Sequence, residues 1–480
     1  MTLRLGQLLP AMRAPLAAIK PVHLTLDSRS VSSGDVFLAI PGAANDGRAF
    51  VDQALRQGAA AVLADAKDGY YSDHERVVTV PDLRAKLPEL ARTFYGDPSR
   101  HMALVAVTGT NGKTSVVDYT AQLLRHMSVA TGTLGTLGAR LGSAIKEAAN
   151  TTPDVVSINR TLAEWLADGV RHVVMEASSH ALDQGRMAGL TLHSAAFTNL
   201  SRDHLDYHGN EAHYAQAKLR LFNDFSISYA LFNADDAVAA QVAGLVDCPA
   251  LGISLKDPNA SVYVQVLSAA PLTLGLRTPM GSHTFSVNLS GSFNAFNAVL
   301  AIMLVVSLGY SLADAVQAAE QLVPVAGRMQ RIANNQGVSV VVDYAHTPDA
   351  LSRALQALRP ETQGKLVVVF GCGGDRDRGK RALMARAAEI HADTLIVTSD
   401  NPRSEDPQAI IDEIVAGLRS GARQVPDRRE AIYTALGLAQ PGDTVLIAGK
   451  GHEDYQDIAG QRLPFSDAAV AQDFYAEVVA

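Results

Sequence analysis

Short apolar runs recur along the chain, and most of them end in glycine or a charged residue. "DVFLAI" (35–40) and "AAVLAD" (60–65) predict strands in the first hundred residues. Ala103 to Val107 is apolar throughout, the pattern of a parallel strand covered on both faces. Beyond Lys113 the period changes. Val116, Val117, Thr120, Leu124 and Met127 fall on one helical face. "RHVVMEASSH" (171–180) predicts another strand, this one ending in an acid.

The last third alternates without interruption. "VSVVVDYA" (338–345) predicts a strand, and "TPDALSRALQAL" (347–358) predicts a helix with Thr347 as N-cap and Pro348 at its first position. Strands are expected at "KLVVVFGCGG", "TLIVTSD" and "DTVLIAGKG", helices at "RALMARAAEIHA" and "PQAIIDEIVAGL". Asp406 and Pro407 are the expected cap and first residue of that last helix. This βα order predicts a parallel, doubly wound sheet, which binds ligands at the carboxyl ends of its strands. Gly371–Arg376, Asp400–Arg403 and Gly449–Glu453 all sit at such ends. The fold class expected is α/β with three domains, 1–99, 100–329 and 330–480. The middle one is expected to be of P-loop type with a mostly parallel sheet, and the last Rossmann-like.

The length of 480 residues suits about three domains. The longest apolar run, 298–306, is too short to span a bilayer and predicts a buried helix. No signal-peptide core opens the chain, so a soluble cytoplasmic protein without membrane insertion is expected. A formal net charge of −8 argues against a nucleic-acid grip built on bulk charge. The two cysteines, Cys248 and Cys372, are expected to be free thiols.

"GTNGKTS" (109–115) lies between a predicted strand and a predicted helix. Gly109 and Gly112 let backbone N–H groups approach an oxyanion at the helix N-terminus. Lys113 can reach terminal phosphates, and the Thr114 hydroxyl can ligate Mg²⁺. Only Thr110 and Asn111 separate the glycines, where the usual Walker pattern has four residues. The loop alone leaves kinase, ATPase and ligase open.

In this order, "GTNGKTS", "NTTPD" (150–154), "MEASSHALDQGR" (175–186), "NLSRDHLDYHG" (199–209), "GSFNAFNA" (291–298) and "VVDYAHTPDAL" (341–351) resemble the motifs of Mur ligases. The resemblance covers nearly the whole chain. "GCGGDRDRGKR", "DNPRSEDP" and "GKGHEDYQ" further resemble the members that add meso-diaminopimelate. The activity implied is ATP-dependent amide synthesis through an acyl phosphate, on UDP-N-acetylmuramoyl-L-alanyl-D-glutamate, for peptidoglycan. The substrates implied are ATP, that nucleotide-linked dipeptide and meso-diaminopimelate.

The same resemblance implies the site residues. Gly109, Thr110, Asn111, Gly112, Lys113, Thr114 and Ser115, with Asn294, Arg328 and Asp343, would hold ATP. Lys113, Lys218 and His204 would be catalytic. Thr114, Glu176, His204 and a carbamylated Lys218 would hold Mg²⁺. By its residues alone, Lys218 is an ordinary helix lysine. The cluster Asp203, His204, His208 and His213 has no matching zinc pattern. Leu26, Ser28, Ala43, Ala44 and Asn45 would meet the uridine diphosphate end, and Asn150, Thr151, Thr152, Ser178, Gln184 and Arg186 the sugar-peptide part. Arg376, Asp400, Asn401, Pro402, Arg403, Gly449 and Glu453 would take the amino acid, with Arg403 on its distal carboxylate and Asp400 and Asn401 beside the amine. A folate polyglutamate ligase shares the central chemistry but is not expected to carry "DNPR" or "GKGHEDYQ". A non-catalytic nucleotide-binding regulator is the second alternative, opposed by the intact Lys113, Glu176, His204 and Lys218.

Overall fold

The computed structural model describes residues 3–10, 12, 14–42, 45–147, 150–269 and 271–479. Its contacts divide the chain into two units. One comprises Met1–Ala106, Ala130–His193 and Asp224–Ile227; the other comprises Val107–Val129, Ser194–Asn223 and Ser228–Ala480.

In the first unit, β1 (Leu24–Thr25), β2 (Val36–Ala39), β3 (Ala61–Asp65) and β4 (Val77–Val80) form a parallel sheet in that order. Every residue of β2 and β3 is buried, which is why the sequence shows runs there and not alternation. Leu38 and Leu63 join one core with Leu5, Leu83 and Leu87, while Phe37 and Val62 join another with Val51 and Leu55. Side chains alternate faces along a strand, so neighbouring residues feed opposite cores. Strand β5 follows (Ala103–Thr108). Of β6 (Thr131–Gly135), β7 (Gly138–Leu141), β8 (Ala144–Lys146) and β9 (His172–Glu176), β6 pairs parallel with β9 and antiparallel with β7, which pairs antiparallel with β8.

In the second unit, β10 (Ser194–Phe197), β11 (Tyr229–Asn233), β12 (Ala250–Ser254) and β13 (Val262–Ala269) pair in parallel. Strands β14 (Leu272–Thr278) and β15 (Gly281–Val287) continue antiparallel from β13. The helix Ser292–Ser307 contains the 298–306 run and is buried along most of its length. Among the described residues, no helix is long and apolar enough to cross a membrane.

The rest of this unit is a six-stranded sheet. Its strands are β16 (Gln330–Ile332), β17 (Ser339–Asp343), β18 (Leu366–Phe370), β19 (Thr394–Val397), β20 (Arg423–Gln424) and β21 (Thr444–Ala448). The order is β16-β17-β21-β18-β19-β20, and only β16 runs antiparallel to its neighbour. Helices Pro348–Leu358, Gly379–His391 and Pro407–Val415 pack on one face, and Arg428–Leu438 and Asp467–Val479 on the other. This is the doubly wound arrangement expected. The Thr347 side chain accepts from the Ala350 amide and that of Asp406 from Gln408, so both expected caps are present. A hairpin, β22 (Tyr455–Ile458) and β23 (Gln461–Pro464), follows β21.

Candidate functional site

The loop after β5 is built by close approach. Gly109 has φ 138°, and a Cβ there would stand 1.9 Å from the Thr198 hydroxyl, so only glycine fits. The helix Lys113–His126 begins at Gly112, φ 87°, with no side-chain cap, so its dipole presents a positive end at the loop. Lys113 Nζ donates to the Gly109 and Thr110 carbonyls, each at 2.9 Å. Lys218 lies on the helix Glu211–Asn223 and is 1% exposed. Its Nζ donates to the same Gly109 carbonyl at 2.8 Å and stands 4.4 Å from the centre of the Tyr214 ring. Burial, and then the charge of Lys113, push its amine well below the ordinary lysine range against the pull of Asp203. Tyr214 in turn shares a 3.1 Å hydrogen bond with the Thr110 hydroxyl.

Of the other ATP-side residues implied by the motifs, Arg328 bonds directly to this loop. Arg328 donates to the Thr114 hydroxyl at 3.1 Å and lies over the Tyr344 ring at 4.1 Å. Asp343 accepts from the Met329 amide at 2.7 Å and the Ala345 amide at 2.8 Å; burial raises its pKa, opposed chiefly by Arg328. Asn294 accepts from the Tyr119 hydroxyl at 3.3 Å, and the Asn111 side chain donates to Asp349 at 3.0 Å. Thr110 and Ser115 are buried beside them in sequence.

Asp203 was not among the residues singled out for a role. It is buried, and its carboxylate stands 3.4 Å from His204 Nε2 and 3.7 Å from His346 Nε2. Burial raises its pKa, but His346, His204 and Lys380 hold it well below the carboxylate range. His208 packs on Tyr214 and His213 bonds to Asn210. Among the described residues no three His, Cys, Asp or Glu side chains gather as a metal site.

A second network lies in the first unit, at the end of β9. Glu176 is 1% exposed and accepts from the Thr136 amide at 2.8 Å and the Thr136 hydroxyl at 3.2 Å. The Thr136 and Thr151 hydroxyls stand 3.3 Å apart. The Thr152 hydroxyl donates to the Glu176 carbonyl at 2.7 Å and accepts from the Ser178 amide at 3.0 Å. Arg186 donates to the Thr152 carbonyl at 3.0 Å and grips Gln184 Oε1. Thus Thr151, Thr152, Glu176, Ser178, Gln184 and Arg186 form one connected set, with Asn150 exposed beside it. Of the remaining N-terminal candidates, Ser28 is buried at the start of a single turn and Leu26 is partly buried against the core. The Asn45 carbonyl accepts from Gly42 at 2.8 Å, and Ala43 and Ala44 lie outside the described residues.

At the carboxyl ends of β18, β19 and β21, two segments far apart in sequence are bonded into one piece. The Arg403 amide donates to the Asp457 carbonyl at 2.9 Å, and the Ala459 amide to the Arg403 carbonyl at 2.7 Å. Gln456 donates to the Asp400 carbonyl at 2.8 Å, and the Asp457 amide to Asn401 Oδ1 at 3.0 Å. Asn401 Nδ2 donates to Glu453 Oε2 at 2.8 Å. Pro402 is buried, and the Arg403 guanidinium is anchored through one nitrogen to the Gly374 carbonyl at 2.7 Å. Arg376 is exposed and bonds to the Asp375 carbonyl at 2.8 Å. Gly449 has φ 119°, and a Cβ there would stand 2.5 Å from the Asp400 carboxylate. Burial raises Asp400, yet Arg428, Lys450 and the Asn401 amide together keep it below its usual range.

Two buried cations here were missed by the motifs. Arg428 is paired bidentately with Asp467, both 0% exposed, and also donates to the Ser399 carbonyl at 3.2 Å and the Ala448 carbonyl at 2.9 Å. It ties the ends of β19 and β21 together. Lys450, also 0% exposed, donates to Asn401 and Glu453. Only its glycine flanks set it apart in sequence.

Three family models match the chain: "Mur ligase family, catalytic domain" over residues 22–95, "Mur ligase middle domain" over 107–305, and "Mur ligase, glutamate ligase domain" over 327–451. A UDP-N-acetylmuramoyl-L-alanyl-D-glutamate–2,6-diaminopimelate ligase of Ectopseudomonas mendocina is 44% identical over 480 residues, 98% of each chain. A solved structure of a ligase of that same name is 35% identical, with TM-score 0.69 over 100% of both chains. A MurF structure from Acinetobacter baumannii, 19% identical, matches in fold with TM-score 0.72 over 99% of this chain and 98% of that one.

Proposed function

Because the chain belongs to the Mur ligase family of ATP-dependent ligases, we propose that it joins meso-diaminopimelate to UDP-N-acetylmuramoyl-L-alanyl-D-glutamate, forming ADP and phosphate, in the cytoplasm. The observation that carries this reading is the 44% identity, across 98% of both chains, to a ligase named for that reaction. The strand-end cluster around Asp400–Arg403 supports it.

The residues divide the work as follows. Residues 1–99 hold the uridine diphosphate end through Leu26, Ser28, Ala43, Ala44 and Asn45. Residues 100–329 hold ATP and the sugar-peptide, and residues 330–480 hold the amino acid. The positive end of the helix after Gly112 draws the phosphate oxygens, while Lys113 turns from its carbonyls to the terminal phosphate. Arg328, beside Thr114, opposes the charge that builds there. The glutamyl carboxylate takes the γ-phosphoryl group. ADP leaves, and the acyl phosphate is then attacked by the amine: the amide C–N bond forms, the C–O bond to phosphate breaks, and the departing phosphate carries away the proton lost by the amine. Orientation of three substrates supplies most of the rate.

When bound, Mg²⁺ screens the phosphate oxygens. Thr114, Glu176, His204 and Lys218 would hold it, Lys218 as a carbamate. A buried amine driven toward its neutral form is the species that adds CO₂, giving N–COO⁻ and releasing one proton. The product is an anionic oxygen ligand of the kind Mg²⁺ favours.

The test is phosphate release with the uridine-linked dipeptide and a panel of diamino acids, with pteroyl substrates as the control. Turnover with meso-diaminopimelate and none with pteroyl substrates is expected. Turnover with a folate, or ATP hydrolysis independent of any amine, would overturn the reading.

A further inference from the structure

The orientation of the Asn401 side chain is fixed by its neighbours. Oδ1 accepts from Lys450 Nζ at 3.0 Å and from the Asp457 backbone N–H at 3.0 Å. Both partners can only donate, so the oxygen and not the nitrogen must face them. Nδ2 is thereby aimed at Glu453 Oε2, 2.8 Å away. Lys450 Nζ reaches that same Oε2 at 3.0 Å and lies 5.4 Å from the centre of the Tyr455 ring. Asn401, Glu453 and Lys450 thus close a triangle, and the ammonium at one corner is fully buried.

A lysine without exposure is costly to keep, because its charge leaves water. The carbonyl and carboxylate oxygens of the triangle repay part of that. They do so by using up acceptors in a pocket that must itself recognise a charged ligand. Asn401 Oδ1 holds two donors and has no lone pair left. Glu453 Oε2 also holds two.

We propose that Lys450 is a positioning residue for the incoming amino acid: it turns Asn401 so that only N–H is left to offer, and occupies one oxygen of Glu453 so that the other meets the substrate ammonium. Asn401 then serves a substrate carboxylate. The motifs imply a place for it beside the amine, but an amide whose oxygen is filled cannot accept from one. This inference rests on the reading of residues 330–480 as the amino-acid site.

The experiment is a double-mutant cycle of Lys450→Met and Glu453→Gln, with Lys450→Gln as a second probe of the same position. KM for meso-diaminopimelate, KM for ATP, kcat and Tm are measured for each. Lys450→Met should raise KM for meso-diaminopimelate about tenfold or more, the scale of one charge-assisted hydrogen bond. KM for ATP should hold. On the Glu453→Gln background the same change should cost less than about threefold, because its main partner is already gone. Lys450→Gln, which keeps one donor but no charge, should fall between wild type and Lys450→Met. Strict additivity, or a parallel rise of both KM values with a fall in Tm, overturns the proposal. So does failure of both Lys450 variants to fold and bind ATP, since the lysine is then a core residue only. A wild type that ignores meso-diaminopimelate sinks the substrate assignment; a wild type that uses it, with variants whose KM is unmoved, sinks this inference alone.

Discussion

Lys113 and Lys218 aim their side-chain nitrogens at one atom, the Gly109 carbonyl oxygen, at 2.9 and 2.8 Å. Two ammonium groups cannot share a carbonyl cheaply, and the buried one is the one driven toward neutrality. Turnover in CO₂-depleted buffer should therefore fall and return on adding bicarbonate. Lys218→Ala should be slow and indifferent to bicarbonate, and Lys113→Ala should be inactive throughout. Full activity without CO₂, together with normal Mg²⁺ dependence in Lys218→Ala, would refute the carbamate.

Arg403 is held at one nitrogen by Gly374, leaving the rest of the fork for a ligand. Lysine lacks the distal carboxylate of meso-diaminopimelate and would leave that guanidinium desolvated and unpaired. Breaking such a pair costs about 2–5 kcal/mol, on the order of 30- to several-thousand-fold. Arg403→Ala should lose most of kcat/KM for meso-diaminopimelate and change little for lysine. Equal loss for both amino acids would remove Arg403 as the selector.

Glu405 shows what pH does to the same region. Its hydrogen bond to Arg381 is the largest influence, and its carboxyl is brought from 4.5 to about 2. A carboxyl lowered on folding contributes stability that is present above the unfolded value and lost as pH falls toward the folded one. The stability advantage of wild type over Glu405→Gln should thus be constant above pH 4.5 and shrink between 4.5 and about 2. Chemical denaturation across that range measures it, and an advantage that grows on acidification contradicts the assignment.

Asp406 caps the helix Pro407–Val415 through the Gln408 amide at 3.0 Å. Asp406→Ala should cost roughly 1 kcal/mol and leave the choice of amino acid untouched. A switch in amino-acid preference would place Asp406 in the site.

Much of the C-terminal sheet was legible because its strands are buried on both faces and so appear as unbroken apolar runs. The caps at Thr347 and Asp406 were legible because a cap acts within three residues. The strands β13 to β15 were not. The outer half of β13 is exposed, although Leu272, Leu274 and Leu276 of β14 do alternate, buried, with more exposed residues. Asp203 with His346, and Arg428 with Asp467, could not be read locally, because each pair is brought together only by the fold. Lys450 escaped for a related reason. Local sequence shows that a residue is charged, while its burial depends on Asn401, which comes from elsewhere in the chain.

The backbone bonds from Arg403 to Asp457 and Ala459 have a practical consequence for anyone transplanting selectivity between such ligases. Four residues grafted as "DNPR" would arrive without the hairpin that sets their spacing or the lysine that turns Asn401. The smallest portable cassette is two-part, residues 398–407 together with 449–459, moved as one. A donor and recipient that differ in either half are expected to yield a chimera that binds neither amino acid well.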